Sequence, residues 1–266
     1  MSKLSFHSDL HIHTNLSPCG ARDAVPQSYL TQCAEAGLDT VGFSNHFWDS
    51  TVPGANEWYT PLDVPHLMKI RDQIGDTYGV RVLIGCEAEF AGKLPLAMEN
   101  AENFDYVLVS TSHFHHTGLM EGLKTATVDD LRLILLERFL LAVGEASELP
   151  VPASLAHIFH PLGFHQYEKE IMAGITDRMY EECFSFAAHK GVGIEIHLPT
   201  FLISDSKGED GLPCNAARMI RLAIKSGCRF TIGSDEHNPA GFVEKTREIH
   251  EVARKLGITP DMMMDL

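Results

Sequence analysis

The chain has 266 residues, 44% of them hydrophobic, and a formal charge of −15. That acidity speaks against a nucleic-acid or anionic-membrane binder, because those use basic surfaces. It does not speak against a small anionic substrate held by metal ions, whose charge sets the local sign. No apolar run approaches the roughly 18 residues of a spanning helix. The N-terminal MSKLSFHSDL lacks the apolar segment of a secretory signal, so a cytoplasmic location is expected. Cysteines 19, 33, 86, 183, 214 and 228 form no CxxC pair, the pattern of free thiols rather than a disulfide framework.

In chain order, β-type runs fall at 5–11 (SFHSDLH), 39–44 (DTVGFS), 81–86 (RVLIGC), 105–111 (DYVLVST), 152–157 (PASLAH), 192–197 (VGIEIH) and 229–234 (RFTIGS). Between them, apolar residues at three- and four-residue spacing predict helices over 26–36, 65–78, 127–144, 168–190, 214–226 and 240–256. Gly37, Gly79, Gly191 and Gly227 stand where helix C-caps are expected. Strands alternating with helices predict a parallel sheet with crossover helices. No repeat or Ser/Gly linker divides the chain, so one domain over 1–266 is expected. Seven units in one α/β domain suggest a closed or nearly closed TIM-like barrel, although the periodicity alone also permits an open sheet.

Each predicted strand ends in a metal-ligating residue type. Asp9, His11 and His13, two apart, should share one face of the first strand. The second runs into Asn45 and His46, the third into Glu87 and Glu89, and the fourth into His113, followed by His115 and His116. His157 closes the fifth, Glu195 and His197 the sixth, and Asp235 and His237 the seventh. In α/β barrels this face carries the active site. A single such histidine is more often a satisfied core residue than a ligand, but occupation of seven independent strand ends is poorly explained that way. Imidazoles and carboxylates suit Zn²⁺, Mn²⁺ or Fe²⁺. The inventory exceeds the three protein ligands of a typical catalytic zinc. Two or three ions about 3.5–4 Å apart, acting on phosphate esters or amides, fit it better.

The stretches D-L-H-I-H-T (9–14), S-N-H (44–46), G-C-E-A-E (85–89), T-S-H (111–113), A-H (156–157) and G-S-D-E-H (233–237) resemble, in order, the motifs of the PHP (polymerase and histidinol phosphatase) family of metal-dependent phosphoesterases. The resemblance implies a distorted seven-stranded (β/α) barrel with a trinuclear site at the C-terminal ends of the strands. Carried over by position, it implies that His11, His13, Glu87 and Asp235 hold a first ion. Glu87 would bridge to a second ion held by His113 and His157, and His46 and His237 would hold a third. Cys19 occupies the spacing where the family often places a further histidine ligand. A thiolate could substitute there; a buried structural thiol, with Asp23 as the ligand instead, is the competing reading. Asn45 stands where the family often has Asp, a change expected to act only on the groups behind the ligands.

Asp9, Glu89, Glu195 and His197 could orient ligand imidazoles; equally, Asp9 and Glu195 could form a polar layer inside the barrel. His115, His116 and His160 read as rim residues for substrate contact or proton transfer, and Arg22 as a phosphate contact. His160 or His237 could protonate the leaving group. His66, His165, His189 and His250 read as surface residues. Trp48, Trp58 and Tyr59 suggest a lid or pocket wall after the second strand, with a plain hydrophobic plug as the simpler alternative. The expected reaction is hydrolysis of a small phosphate monoester through a metal-bridging hydroxide. Histidinol phosphate, nucleotides and short oligonucleotide ends all fit the resemblance, whereas a long nucleic acid does not fit the charge. An amidohydrolase-type reading is second: such barrels also open with H-x-H, but here no lysine stands at a predicted strand end and seven strands are counted. A non-catalytic metal-binding protein is third, and the ligand set is larger than a purely structural site needs.

Overall fold

The central runs VLIGC (82–86) and YVLV (106–109) are continuously apolar, which suits burial on both faces of a parallel sheet. The computed structural model describes residues 3–114 and 122–266. Seven strands pair in chain order, all parallel: β1 (Ser8–Ile12), β2 (Thr40–Phe47), β3 (Arg81–Glu89), β4 (Tyr106–Ser110), β5 (Ala153–Ala156), β6 (Gly193–His197) and β7 (Phe230–Gly233). All are buried apart from the first residues of β3.

The described helices are α1 (Pro26–Leu30), α2 (Cys33–Ala36), α3 (Val64–Leu67), α4 (Ile70–Gln73), α5 (Met98–Ala101), α6 (Val128–Ala146), α7 (Glu168–Gly174), α8 (Asp177–Lys190), α9 (Cys214–Lys225) and α10 (Phe242–Leu256). α6 starts on a full capping box, Thr127 with Asp130. Gly37, Gly191 and Gly257 end their helices in the left-handed region. Three expected helices are interrupted. Residues 26–36 form α1 and α2, and 65–78 shrink to the single turns α3 and α4. Residues 168–190 divide at Ile175 and Thr176, where the Thr176 hydroxyl accepts from Met179 N and starts a new helix. α5 is not foreshadowed by periodicity, being one turn long.

The sheet curves until β7 meets β1, so the open-sheet alternative falls away and the chain forms a nearly closed barrel. At the C-terminal end of the seam, His13 N donates to Glu236 O (2.8 Å) and Glu236 N to His11 O (3.2 Å). At the other end Met264 N donates to Phe230 O (3.0 Å) and Leu4 N to Met264 O (2.8 Å), so residues 263–266 fill the gap. Between these ends the Asp9 carboxylate stands in for the missing ladder, accepting from Ser234 N (3.1 Å) and His11 N (3.2 Å).

Asp9 therefore does not share the site-facing side of β1. The β1–β2 register slips between Asp9↔Val41 and Ile12↔Phe43, a bulge that adds one residue to β1 and resets the alternation. Asp9 turns to the seam and to the Thr246 hydroxyl of α10 (3.4 Å). Burial pushes its carboxyl up to about 6, against the opposing hydrogen bonds from Ser234 and His11.

The lower barrel interior is filled by Tyr106. Its hydroxyl donates to Leu10 O (2.5 Å), and its ring lies where a Cβ on Gly42 or Gly85 would collide with it. Those two glycines are required by close approach rather than by a turn.

Candidate metal centre

Polar side chains converge where the strands end. His11 Nε2 and His13 Nε2 stand 3.1 Å apart. Glu87 reaches both, with Oε2 3.6 Å from His11 Nε2 and 3.4 Å from His13 Nε2. The same oxygen lies 2.7 Å from His46 Nδ1, and Oε1 lies 2.7 Å from His157 Nε2 and 3.7 Å from His113 Nδ1. Asp235 Oδ1 closes the group at 3.4 Å from His11 Nε2 and 3.3 Å from His13 Nε2.

Two of these residues are held by unusual backbone. His157 (φ 34°) and Asp235 (φ 55°) both lie in the left-handed region. Such conformations cost on the order of 1–3 kcal/mol and persist where the surroundings over-determine them. Here each occurs as a strand ends, where it redirects the side chain into the centre.

The far side of each imidazole fixes which nitrogen faces the group. His11 Nδ1 donates to Glu195 Oε1 (2.6 Å). The Ser17 hydroxyl donates to Asn45 Oδ1 (3.0 Å), so Ser17 Oγ accepts from His13 Nδ1 (3.0 Å). The Ser112 hydroxyl donates to the His157 carbonyl (3.1 Å) and accepts from His157 Nδ1 (2.7 Å). With Nδ1 donating in all three, the Nε2 atoms of His11 and His13 face each other and the Glu87 and Asp235 carboxylates, and that of His157 faces Glu87. Ring nitrogens and carboxylate oxygens this close and this deeply buried need positive charge among them, as protons or as metal ions. The donor set therefore fits divalent cations, and imidazole with carboxylate is suitable chemistry for them.

Four groups of ligand atoms, each within 4.8 Å of one another, lie in this centre: His11 with His13 and Asp235; His11 with Glu87 and His157; His46 with Glu87 and His113; and His13 with Cys19, His46 and His237. Cys19 thus enters a group, whereas Asp23 is exposed and enters none among the described residues. His237 stacks on His13 (4.1 Å, 14°) and donates from Nδ1 to Asp235 O (2.8 Å).

The charges follow the geometry. Burial would raise Glu87, but the imidazoles of His46, His113 and His11 hold it well below the usual carboxylate range. Asp235 behaves alike: burial opposes ionisation, while the His11 charge and the His13 and His197 hydrogen bonds hold it well below the usual range. Burial works against protonation of His11, yet Glu195, Asp235 and Glu87 together raise it well above its ordinary value. Burial and the nearby charge of His13 lower His237 to about 4.

Of the two readings open for Glu195, it takes the orienting one, behind the His11 imidazole. Besides His11, Glu195 accepts from His157 N (2.9 Å). Glu89 Oε2 pairs with His113 Nδ1 (2.9 Å) and accepts from the Tyr59 hydroxyl (3.0 Å), with the Arg138 guanidinium 3.6 Å from Oε1. His197 supports Asp235, with Nε2 3.3 Å from Oδ2, and is itself fixed by Thr200. Asn45 accepts from Thr14 N and the Thr14 and Ser17 hydroxyls. The sequence reading missed Ser17 and Ser112. Each sits within four residues of a ligand-type histidine, the only local hint available.

Around the mouth, the Trp58 ring meets His46 edge-on (5.0 Å) and Tyr59 is fully buried against Trp58 and Trp48. The aromatic loop is thus a wall of the site. Arg22 is exposed on the loop after β1. His160 is buried, with its ring 5.7 Å from that of His197. His66, read as a surface residue, is half-buried and hydrogen-bonded to Leu16 O (2.8 Å). His250 is buried against Ser8 O (3.0 Å). The expected rim residues His115 and His116 lie outside the described residues.

A barrel that gathers buried histidines and carboxylates at its strand ends belongs to the metal-dependent hydrolases as a class, and comparison with known proteins narrows that class. The PHP domain profile matches residues 9–198. The chain belongs to the PHP family of metal-dependent phosphoesterases. A protein of Deinococcus radiodurans named "Probable histidinol-phosphatase" is 24% identical over 263 residues, covering 92% of this chain and 93% of that protein. The fold is shared with a histidinol phosphate phosphatase of Lactococcus lactis solved with zinc, L-histidinol and phosphate. The match has a TM-score of 0.62 at 16% identity and covers 98% of this chain and 99% of that one. Among the described residues, no helix is long and apolar enough to cross a membrane.

Proposed function

We propose that this chain hydrolyses a small phosphate monoester at two or three divalent ions held by His11, His13, Cys19, His46, Glu87, His113, His157, Asp235 and His237. The observation that carries this reading is the convergence of the His11, His13 and His157 Nε2 atoms on Glu87, with Asp235 closing on the first two. Glu87 offers one oxygen to the His11, His13 and His46 side and the other to the His157 and His113 side, as a bridging carboxylate would. Histidinol phosphate is the first substrate to try, given the name of the D. radiodurans relative and the ligands of the L. lactis structure.

When bound, the ions supply positive charge against the phosphoryl oxygens and lower the pKa of water. The chain's own residues do the positioning. Glu195, Ser17 and Ser112 lock the tautomers and directions of three imidazoles. Tyr59 and Trp58 close one side of the site and exclude water there. Arg22, on the exposed loop after β1, would meet the phosphate dianion as it enters. Neither His160 nor His237 is set up to protonate the leaving oxygen. Burial and neighbouring imidazoles keep His160 well below its ordinary range, and the His237 Nδ1 proton is committed to a backbone carbonyl. The reading therefore leaves that proton to water.

The test is elemental analysis of the purified protein, followed by phosphate-release assays on histidinol phosphate, nucleotides and generic monoesters with Zn²⁺, Mn²⁺ or Fe²⁺. Metal-dependent release that is abolished by Glu87→Gln is expected. Metal-loaded protein that releases no phosphate from any monoester, yet opens a cyclic amide, would return the amidohydrolase reading to first place.

A further inference from the structure

A second group of metal-ligating side chains lies within nine residues of the chain after β5. His160, His165 and Glu168 bring one ligand atom each within 4.8 Å of one another. None of the three belongs to the ligand set above. The segment is pre-shaped by short local bonds. Leu162 N donates to His160 O (2.9 Å), Phe164 N to Pro161 O (2.8 Å), and a 3₁₀ turn at His165–Tyr167 delivers Glu168 as the first residue of α7. Glu168 Oε1 is the shared atom, 2.5 Å from His165 Nδ1 and 3.6 Å from His160 Nδ1.

His160 supplies an independent observation. It is only 4% exposed, and its Nδ1 has no hydrogen-bond partner among the described residues. A buried imidazole nitrogen left unsatisfied is destabilising unless something else fills its coordination. The 3.6 Å separation from Glu168 is too long for a hydrogen bond. It does match the spacing of two donors on one tetrahedral ion, since ligands about 2.1 Å from zinc stand about 3.4 Å from each other.

We propose that His160, His165 and Glu168 form a further divalent-cation site, suited to zinc, at the rim of the barrel mouth. Two histidines and one glutamate are a complete protein donor set for a zinc that keeps an open position. The outer side is accessible: the His165 side chain is 63% exposed and borders a cavity of about 280 Å³ shared with Gln166, Lys169, Ile203 and Ser204. The nearest cationic side chain in sequence, Lys169, is partly offset by Asp205, whose carboxyl it helps to hold low, after the hydrogen bonds from Asn215 and Ser206 that counter its burial. An ion here would sit one histidine away from the main centre, because His160 packs near His197 and His197 contacts Asp235. It would place positive charge at the mouth through which an anionic substrate enters.

The test is a zinc titration of chelator-stripped full-length protein in a metal-buffered solution, with ions per chain counted by elemental analysis. Wild type, His165→Ala and Glu168→Gln are compared, with circular dichroism to show that each is folded. His165→Ala alters an exposed side chain, and Glu168→Gln keeps an acceptor for His165. Each variant is expected to hold one ion fewer than wild type at a zinc activity that saturates wild type. Cobalt(II) substitution should show the matching loss of one tetrahedral visible band. Equal ion counts in all three folded proteins would overturn the proposal. Repeating the His165→Ala comparison in a Glu87→Gln background separates this site from the main one. There the difference of one ion should persist although the main centre has lost its activity.

Discussion

The two ends of the barrel are made from the same seven strands and could hardly differ more. At the lower end, the ring of Tyr106 fills space left by Gly42 and Gly85, and Met264 lies over Gly193. The Tyr106 hydroxyl there has its partner, the Leu10 carbonyl. At the upper end, imidazoles and carboxylates are buried against one another, and two ligand-type residues sit in left-handed backbone. Stability is concentrated in the first residues of each strand and chemistry in the last. Each strand can therefore carry a costly polar group because its own lower half is well packed.

That contrast can be broken in stages. The largest effect is expected from Glu87→Gln, which should lower phosphate release by on the order of 10³-fold, with thermal unfolding little changed. Activity within tenfold of wild type would show that the carboxylate does not bridge the site. At the opposite end, Tyr106→Ala should lower unfolding free energy by about 3–5 kcal/mol, measured by denaturant titration, while the fraction still folded binds metal normally. A loss of metal without loss of stability would erase the division of labour between the ends. Glu195→Gln sharpens the picture at one remove from the ligands. Because Glu195 holds the His11 imidazole from behind and the His157 backbone N–H, the change should weaken metal affinity about 10–100-fold, read from zinc competition with a chromophoric chelator. The smallest effect is chemical protection. In metal-free protein a thiol reagent should reach the two exposed cysteines, Cys19 and Cys214, with the other four buried. Zinc should slow labelling of Cys19 alone; unchanged labelling would return Cys19 to the surface thiols.

The seven strands and their terminal ligand types could be read from the sequence because both signals are local: a short apolar run, then a histidine or carboxylate. What escaped depends on contacts that close only in three dimensions. The β1 bulge moved Asp9 off the face assigned by simple alternation, and nothing in DLHIHT marks a bulge. Ser17 and Ser112 are ordinary residue types whose importance lies in which imidazole they meet. The break inside 168–190 had a visible cue, Thr176 before Asp177, but the apolar spacing continues across it. His165 is a surface residue, as the sequence suggested, but its proximity to His160 and Glu168 was not legible there. Only the 3₁₀ turn brings the pair to Glu168. Family resemblance supplied the order of the ligands, and the structure adds what stands behind them.

The seam between β7 and β1 also bears on how the chain reaches its fold. Lys3 pairs antiparallel with Asp265, and Leu4 bonds to Met264, so positions near opposite ends of the described chain lie side by side. Closing this seam thus requires closing a loop of nearly the whole chain, the slowest kind of contact to make. A circular permutant joining these neighbours by a short flexible linker, and opened at the exposed turn around Gly208 and Glu209, would make that contact local. Such a chain should refold faster than the original while presenting the same ring of strand ends.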